Sequence, residues 1–207
     1  MTPYSPQPDN RNDARSSATR KRLIAGTTEA LVELGYTKTT GVEVCRRAEV
    51  TRGALNHHYP DFADLLVDTL DQLYHQLLDL KHDGSTGLLE QITQEGHLRV
   101  TQREFKAVIE LWLASKNDEA IGARLAEAIA HGAALFSPEM VLSRKRERTR
   151  AKEFEAVYRT ITEALIGIGL GRAINGGEAM AHEAMVLQTL LKLAREYDQQ
   201  HKLYNRI

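Results

Sequence analysis

Cysteine, proline and aromatic residues are scarce in this chain of 207 residues. Its one cysteine, Cys45, cannot form an intramolecular disulfide and excludes a cysteine-rich zinc site. Only five prolines interrupt long stretches rich in alanine, leucine and charged residues, a composition that favours helices. No apolar run approaches the roughly 18 residues that a membrane-spanning helix needs, and the N-terminal segment lacks the apolar centre of a signal peptide. We therefore expect a cytoplasmic protein.

The charge of the chain is unevenly distributed. The net charge is −1, so the chain as a whole has no basic signature for nucleic acid. Residues 11–60, however, contain nine lysine and arginine residues against five aspartate and glutamate residues. That segment therefore carries +4 and the remainder carries −5. A basic N-terminal quarter on an acidic body is the distribution that a DNA-binding module shows.

Helical periodicity extends along the chain, and no segment alternates in the manner of a β-strand. The pattern predicts helices over about 17–34, from the Thr39-Thr40 pair to near Ala48, from Thr51 to Tyr59, and over about 62–80. It continues through 87–96, 102–117, 118–136, 146–173 and 178–200. The predicted fold class is therefore all-α.

The second and third predicted helices form a helix-turn-helix. Two short helices joined by three residues let the second helix project from the surface into a DNA major groove. The inward positions are apolar: Cys45, Ala48, Val50, Leu55 and Tyr59. The outward positions of the second helix carry long polar side chains: Arg52, Asn56, His57 and His58. Thr51, at the start of that helix, is placed to cap it and to contact a phosphate.

The segment Thr19–Leu66 resembles the DNA-binding domain of the tetracycline-repressor (TetR) family. It contains the Gly35-Tyr36 break, the Thr39-Thr40 helix start, a central R-R-A-x-V, the run T-R-G-A-L-x-H-H-Y-P and a following D-L-L. The resemblance implies a disordered tail over 1–16, a three-helix helix-turn-helix DNA-binding domain over 17–64, and a helical effector-binding and dimerisation domain over 65–207. The remainder of the chain matches the family only in the number and order of its helices.

The resemblance also implies which residues contact DNA. Base contacts fall on Arg52, Gly53 and His57, and backbone contacts fall on Thr40, Thr51 and Asn56. With flanking positions included, the predicted set is Lys38, Thr39, Thr40, Thr51, Arg52, Gly53, Asn56, His57 and His58. We expect Arg52 to read a guanine, because its planar guanidinium pairs with two acceptors of that base.

Three positions depart from the family pattern. The family often has a tyrosine where Asn56 stands and a lysine where Phe62 stands, and both substitutions change the expected phosphate contacts. A glycine is common in the turn where Glu49 stands. If that turn requires a positive φ, Glu49 costs about 1 kcal/mol there.

The expected partners are an operator DNA, a second copy of the chain and a small effector of unknown identity. The last two helices carry the apolar residues suited to a homodimeric four-helix bundle: Val157, Ile161, Leu165, Ile168, Leu187, Leu190, Leu191 and Ala194. Candidates for an effector pocket, each equally readable as ordinary core, are Phe105, Ile109, Trp112, Phe136, Phe154 and Tyr158.

We predict a transcriptional repressor that an apolar or aromatic effector releases from its operator. The alternatives are an effector-independent or activating DNA-binding regulator and, further away, a helical enzyme or interaction module. No nucleophile or acid–base motif supports an enzyme, and no cofactor is expected. The adjacent residues His57 and His58 point about 100° apart on a helix, which disfavours a shared metal ion.

Overall fold

The computed structural model describes residues 10–78, 86–135, 138 and 148–201, and within these ranges the regular secondary structure is helical. The N-terminal part contains α1 (Asn10–Leu34), a short 3₁₀ helix (Tyr36–Lys38), α2 (Gly41–Ala48), α3 (Arg52–His58) and the start of α4 (Phe62–Leu78). The body contains α5 (Leu88–Val100), α6 (Phe105–Asn117), α7 (Glu119–Leu135), α8 (Arg148–Ile174) and α9 (Glu183–His201). The all-α prediction, with an N-terminal helix-turn-helix and a helical C-terminal domain, is confirmed. None of the helices in the described ranges is long and apolar enough to cross a membrane.

Two helix boundaries differ from the predicted ones. Helix α1 begins at Asn10, so residues 10–16 are helical and do not belong to a disordered tail. These residues gave no periodic signal because side chains 13–18 are all exposed and bury no apolar face. Helix α9 begins at Glu183 instead of near Glu178, after a turn in which Gly177 has a φ of 93°.

The helix-turn-helix has its own small core. Leu23 of α1, Val44 of α2, Leu55 of α3 and Leu65 of α4 are buried together, with Ala48 and Tyr59 completing the cluster. The half-buried Cys45 packs against this cluster, and burial raises the pKa of its thiol. The three helices of the N-terminal unit are therefore held on α4 by apolar packing.

A larger core fills the body of the molecule, and α4 contributes to both cores. Leu66, Leu70 and Leu73 of α4 face the larger core, whereas Leu65 faces the smaller one. A displacement of α4 in the body is therefore transmitted to the packing of the helix-turn-helix.

The apolar stripes of the last two helices are largely used inside the protomer. Five of the residues expected to face a second copy lie in the larger core instead: Ile161, Leu165, Ile168, Leu190 and Ala194. The prediction that these five pair with a partner is wrong, because α5 packs on α8 and α9 and covers them. Val157, Leu187 and Leu191 are only half-buried.

Candidate DNA-binding site

The turn between α2 and α3 has a defined backbone. Glu49 adopts the left-handed conformation, with φ 53° and ψ 45°, and the N–H groups of Glu49 and Val50 both donate to the carbonyl of Cys45. The predicted positive φ is thus confirmed. Thr40 and Thr51 cap the two helices by accepting hydrogen bonds from the N–H groups of Glu43 (3.3 Å) and Ala54 (3.1 Å).

The inner face of α3 is anchored at its C-terminal end. Leu55 and Tyr59 are buried, as predicted. The Tyr59 hydroxyl donates to Asp68 Oδ2 of α4 at 2.7 Å and accepts from Arg20 Nε of α1 at 3.0 Å. Burial and the hydrogen bond to Asp68 raise the pKa of Tyr59 far above its ordinary value, so the phenol stays protonated. Three helices therefore fix the orientation of α3.

The outer face of α3 presents a continuous polar edge. Arg52, Gly53, Asn56 and His57 are exposed, and His58 is half-buried with its ring edge-on to that of His57 at 5.5 Å. The structure therefore brings the five predicted residues of α3 to one surface, with Thr51 at its start. This surface has the helix length and side-chain chemistry that suit a major groove about 12 Å wide.

Gly53 has no structural reason to be a glycine. Its φ is not positive, and an added Cβ would have Thr51 Oγ1 as its nearest neighbour at 3.8 Å, an ordinary van der Waals distance. The bare backbone at this exposed position leaves room for a close approach from outside.

The predicted flanking residues divide into two groups. Lys38 and Thr40 are exposed beside the start of α2. Thr39, by contrast, is 5% exposed, and its hydroxyl donates to the Gly35 carbonyl at 2.8 Å. The side chain of Thr39 therefore stabilises the turn before α2 and does not belong to the outer surface.

The arginines of α2 are occupied inside the fold. Arg46 and Arg47 both bind Glu43 at 2.7 Å, and Arg47 also binds Glu33 of α1 at 2.8 Å. Hydrogen bonds from these two guanidinium groups lower the pKa of Glu43 to about 2. The basic pair R-R of the sequence therefore joins α2 to α1 and leaves the exposed edge of α3 to Arg52.

Phe62, the departure at the start of α4, has a packing role. Its ring is half-buried and lies against both apolar cores. A lysine here, as in many family members, would offer a phosphate contact, but Phe62 instead strengthens the junction between the helix-turn-helix and the body.

The predicted effector-pocket residues lie in the larger core. Phe105 and Ile109 of α6 are buried, and Trp112 meets Phe105 edge-on at 6.0 Å while its indole N–H donates to the Tyr74 hydroxyl at 2.7 Å. On α8, Phe154 and Tyr158 are buried and stacked at 5.9 Å. Phe136 lies outside the described residues.

A cleft of about 290 Å³ is found elsewhere, between α1 and α4, with Arg20, Asp68 and His75 among its lining residues. None of the predicted pocket residues lines it. The participation of Phe105, Ile109, Trp112, Phe154 and Tyr158 in an effector pocket therefore stays a prediction.

Helix α6 makes polar contacts with the helix-turn-helix that the sequence reading missed. Lys106 Nζ donates to the Val32 carbonyl of α1 at 2.7 Å, and the Tyr36 N–H donates to Glu110 Oε2 at 2.9 Å. The available signal was the i, i+4 spacing of Lys106 and Glu110, which puts both on one face of an otherwise apolar helix. The body thus contacts the helix-turn-helix through α6 as well as through α4.

The chain has regulators of transcription among its relatives, although no protein-family profile matches it. It is 27% identical over 195 residues to the HTH-type transcriptional regulator BetI of Escherichia coli O45:K1 (strain S88 / ExPEC), covering 89% of this chain and 94% of that protein. It is 28% identical over 121 residues to the HTH-type transcriptional regulator CymR of Pseudomonas putida, covering 55% of this chain and 60% of the relative.

Solved structures share the fold. A TetR-family member from Streptomyces coelicolor A3 has a TM-score of 0.58 at 18% identity, covering 85% of this chain and 98% of that chain. The multidrug binding protein EbrR, in complex with imidazole, has a TM-score of 0.53 at 19% identity and covers 84% of this chain and 94% of that chain. The relatives are regulators and not enzymes. Sequence, fold and relatives together identify the chain as a DNA-binding, helix-turn-helix transcriptional regulator of the TetR family.

Proposed function

We propose that this regulator is a homodimeric repressor, which binds a twofold operator through α3 and is released by a small apolar or aromatic effector. The observation that carries the proposal is the exposed polar edge of α3, held in place by the buried Leu55 and Tyr59. Such a protein acts where the chromosome is, and we place it in the cytoplasm.

Each exposed residue of α3 has a role in the proposal. Arg52 pairs with a guanine in the major groove, and His57 contacts a neighbouring base edge. Gly53 lets the backbone approach the DNA, and Thr51 and Asn56 bind phosphates. His58, Lys38 and Thr40 flank this contact, and Thr40 also offers the N-terminus of α2 to a phosphate.

Arg52→Ala tests the reading role directly. On an operator obtained by selection from random DNA, the variant should lose about 1–3 kcal/mol of binding free energy and should also lose its base preference at one position. Fluorescence anisotropy titrations on the operator and on single-base variants measure both quantities. Unchanged affinity and unchanged preference would remove α3 from the proposed interface.

Exposed apolar side chains at the junction of α8 and α9 support a dimer. Ile174 is 79% exposed and Met185 is 66% exposed, while Leu170 and Met180 are exposed to a lesser degree. Large apolar side chains clustered along the sequence in this way favour coverage by a second copy. A twofold arrangement would also set two α3 helices about 34–36 Å apart, one turn of DNA.

The dimer is tested by introducing a charge at this surface. Ile174→Glu and Met185→Glu should shift the mass measured by light scattering towards that of a monomer and weaken operator binding. Leu113→Glu is the matched control, because Leu113 is an exposed apolar residue on α6. A wild-type chain that is monomeric at micromolar concentration would contradict the proposed homodimer.

Two connections support release by an effector. Helix α4 follows α3 directly and enters the body core, and α6 carries Phe105, Ile109 and Trp112 on the same helix that contacts α1 through Lys106. The multidrug binding protein EbrR, which shares the fold, has been solved with imidazole and with ethidium. A coupling of about 1–3 kcal/mol, or about 5–150-fold in affinity, is enough for induction.

A screen of aromatic and apolar compounds against the operator complex tests this part of the proposal. We expect at least one class to lower operator affinity within that range, and Trp112→Ala to reduce its effect. Operator affinity that no compound in a broad screen changes would instead support an effector-independent regulator.

A further inference from the structure

The N-terminal part of α1 extends beyond the packed helix-turn-helix. Residues 13–18 are helical and exposed, and Thr19 is the first buried side chain of the helix. At a rise of 1.5 Å per residue, these six exposed residues extend for about 9 Å along the helix. This part of α1 packs on no other described helix and is open to an external partner.

Arg15 and Arg22 share one flank of α1. They are seven residues apart, which is close to two helical turns, so their side chains leave the helix in nearly the same direction. Arg22 Nη1 donates to the carbonyl of Glu49, at 3.5 Å, in the turn that leads into α3. Four residues further on, an added Cβ at Gly26 would lie 3.0 Å from the N of Ala48 in α2. This flank is therefore the side of α1 that borders the helix-turn-helix.

Charge changes along this flank. In the C-terminal half of α1, Glu29 and Glu33 stand on the same flank and bind Arg47 of α2 at 3.8 and 2.8 Å. In the N-terminal half, neither Arg15 nor Arg22 has an acidic partner among the ion pairs of the described residues. α2 thus neutralises the acidic half of the flank, and the basic half continues past it towards solvent.

The other flanks of α1 are different. Asp13 lies about two and a half turns from Arg22 and so points away from this row. Arg20 points towards α4, where it binds Asp68. Lys21 lines the cleft between α1 and α4. Arginine without an acidic partner is therefore confined to the flank that adjoins the turn into α3.

We infer that the exposed N-terminal part of α1 is a second DNA contact, in which Arg15 and Arg22 bind backbone phosphates outside the base pairs that α3 occupies. The inference rests on the DNA-binding function and extends its footprint. The two residues are about 10 Å apart along the helix, which corresponds to about three steps of 3.4 Å along one DNA strand. Guanidinium groups at that spacing suit successive phosphates, and the contact carries no base preference of its own.

The test measures the salt dependence of operator binding by the full-length Arg15→Gln variant. Each phosphate contact contributes about 0.9 to the slope of log affinity against log salt, so the variant should lower the slope by about that amount. Trimming the operator to the base pairs around the α3 contacts should weaken wild-type binding several-fold but leave the variant nearly unaffected. Circular dichroism confirms the fold, which an exposed side chain does not support.

Lys21→Gln is the matched control, since it removes the same charge from an exposed residue of the same helix on another flank. We expect Lys21→Gln to keep both the wild-type slope and the wild-type sensitivity to trimming. Equal slopes for Arg15→Gln and Lys21→Gln, or a wild-type affinity that trimming does not change, would overturn the inference. In either case a normal effect of Arg52→Ala would leave the function of α3 intact, whereas the absence of any operator binding would refute the DNA-binding function itself.

Discussion

Substitution of Gly53 by alanine separates the requirements of the fold from those of DNA binding. Within a helix, alanine is more favourable than glycine by about 0.5–1 kcal/mol, because glycine loses more backbone entropy on folding. The added Cβ meets no close neighbour at this exposed position, since Thr51 Oγ1 lies 3.8 Å away. The free energy of unfolding should therefore rise by about 0.5–1 kcal/mol, which raises the melting temperature of a chain of this size by about 1–4 °C.

Operator binding should change in the opposite direction. If the backbone at Gly53 lies against the DNA, an extra methyl group there costs about 1–3 kcal/mol, as overpacking does in a filled core. Thermal unfolding and operator titration of Gly53→Ala measure the two effects on one preparation. A variant that is both less stable and weaker in binding would show that the fold requires the glycine. A stabilised variant with unchanged affinity would show that DNA does not approach this residue.

Three further outcomes are expected. Glu49→Gly should raise the free energy of unfolding by about 1 kcal/mol in urea titrations, because it relieves the left-handed backbone, and Glu49→Ala should give no such gain. Thr51→Ala should lower that free energy by about 0.5–2 kcal/mol and weaken operator binding, because α3 loses its cap. Glu183, whose pKa is lowered to about 2 by hydrogen bonds from Arg172 and His97, stabilises the fold above the ordinary carboxyl pKa of 4.5. That stabilisation should disappear as the pH falls from 4.5 to 2, and Glu183→Gln should flatten this part of the stability profile; an unchanged profile would contradict the role given to the carboxylate.

The helix-turn-helix could be predicted in detail because its signals are local. The Thr40 and Thr51 caps and the alternation of buried Leu55 with exposed Asn56 all depend on residues within one turn of each other. Thr39 was misplaced because adjacent threonines look alike in sequence. Only the three-dimensional turn decides that the Thr39 hydroxyl reaches the Gly35 carbonyl.

The body was predicted less well because its contacts are distant in sequence. An apolar stripe such as that of Ile161 and Leu165 shows that a face is buried, but it does not show whether the chain itself or a second copy covers it. Here α5, far away in sequence, covers that face. The contact of Glu110 with Tyr36 likewise joins residues 74 positions apart, and no local pattern announces it.

The most direct test of the central claim is the selection of DNA bound by the full-length chain from a random-sequence library. Binding of a dimer through α3 predicts enrichment of an inverted repeat whose half-site centres lie about 10 base pairs apart. Repeating the selection with Arg52→Ala should relax one position, expected to be a guanine, in each half-site. A library that remains random after selection with the wild-type chain, or a site that Arg52→Ala recovers unchanged, would contradict the reading of DNA by α3.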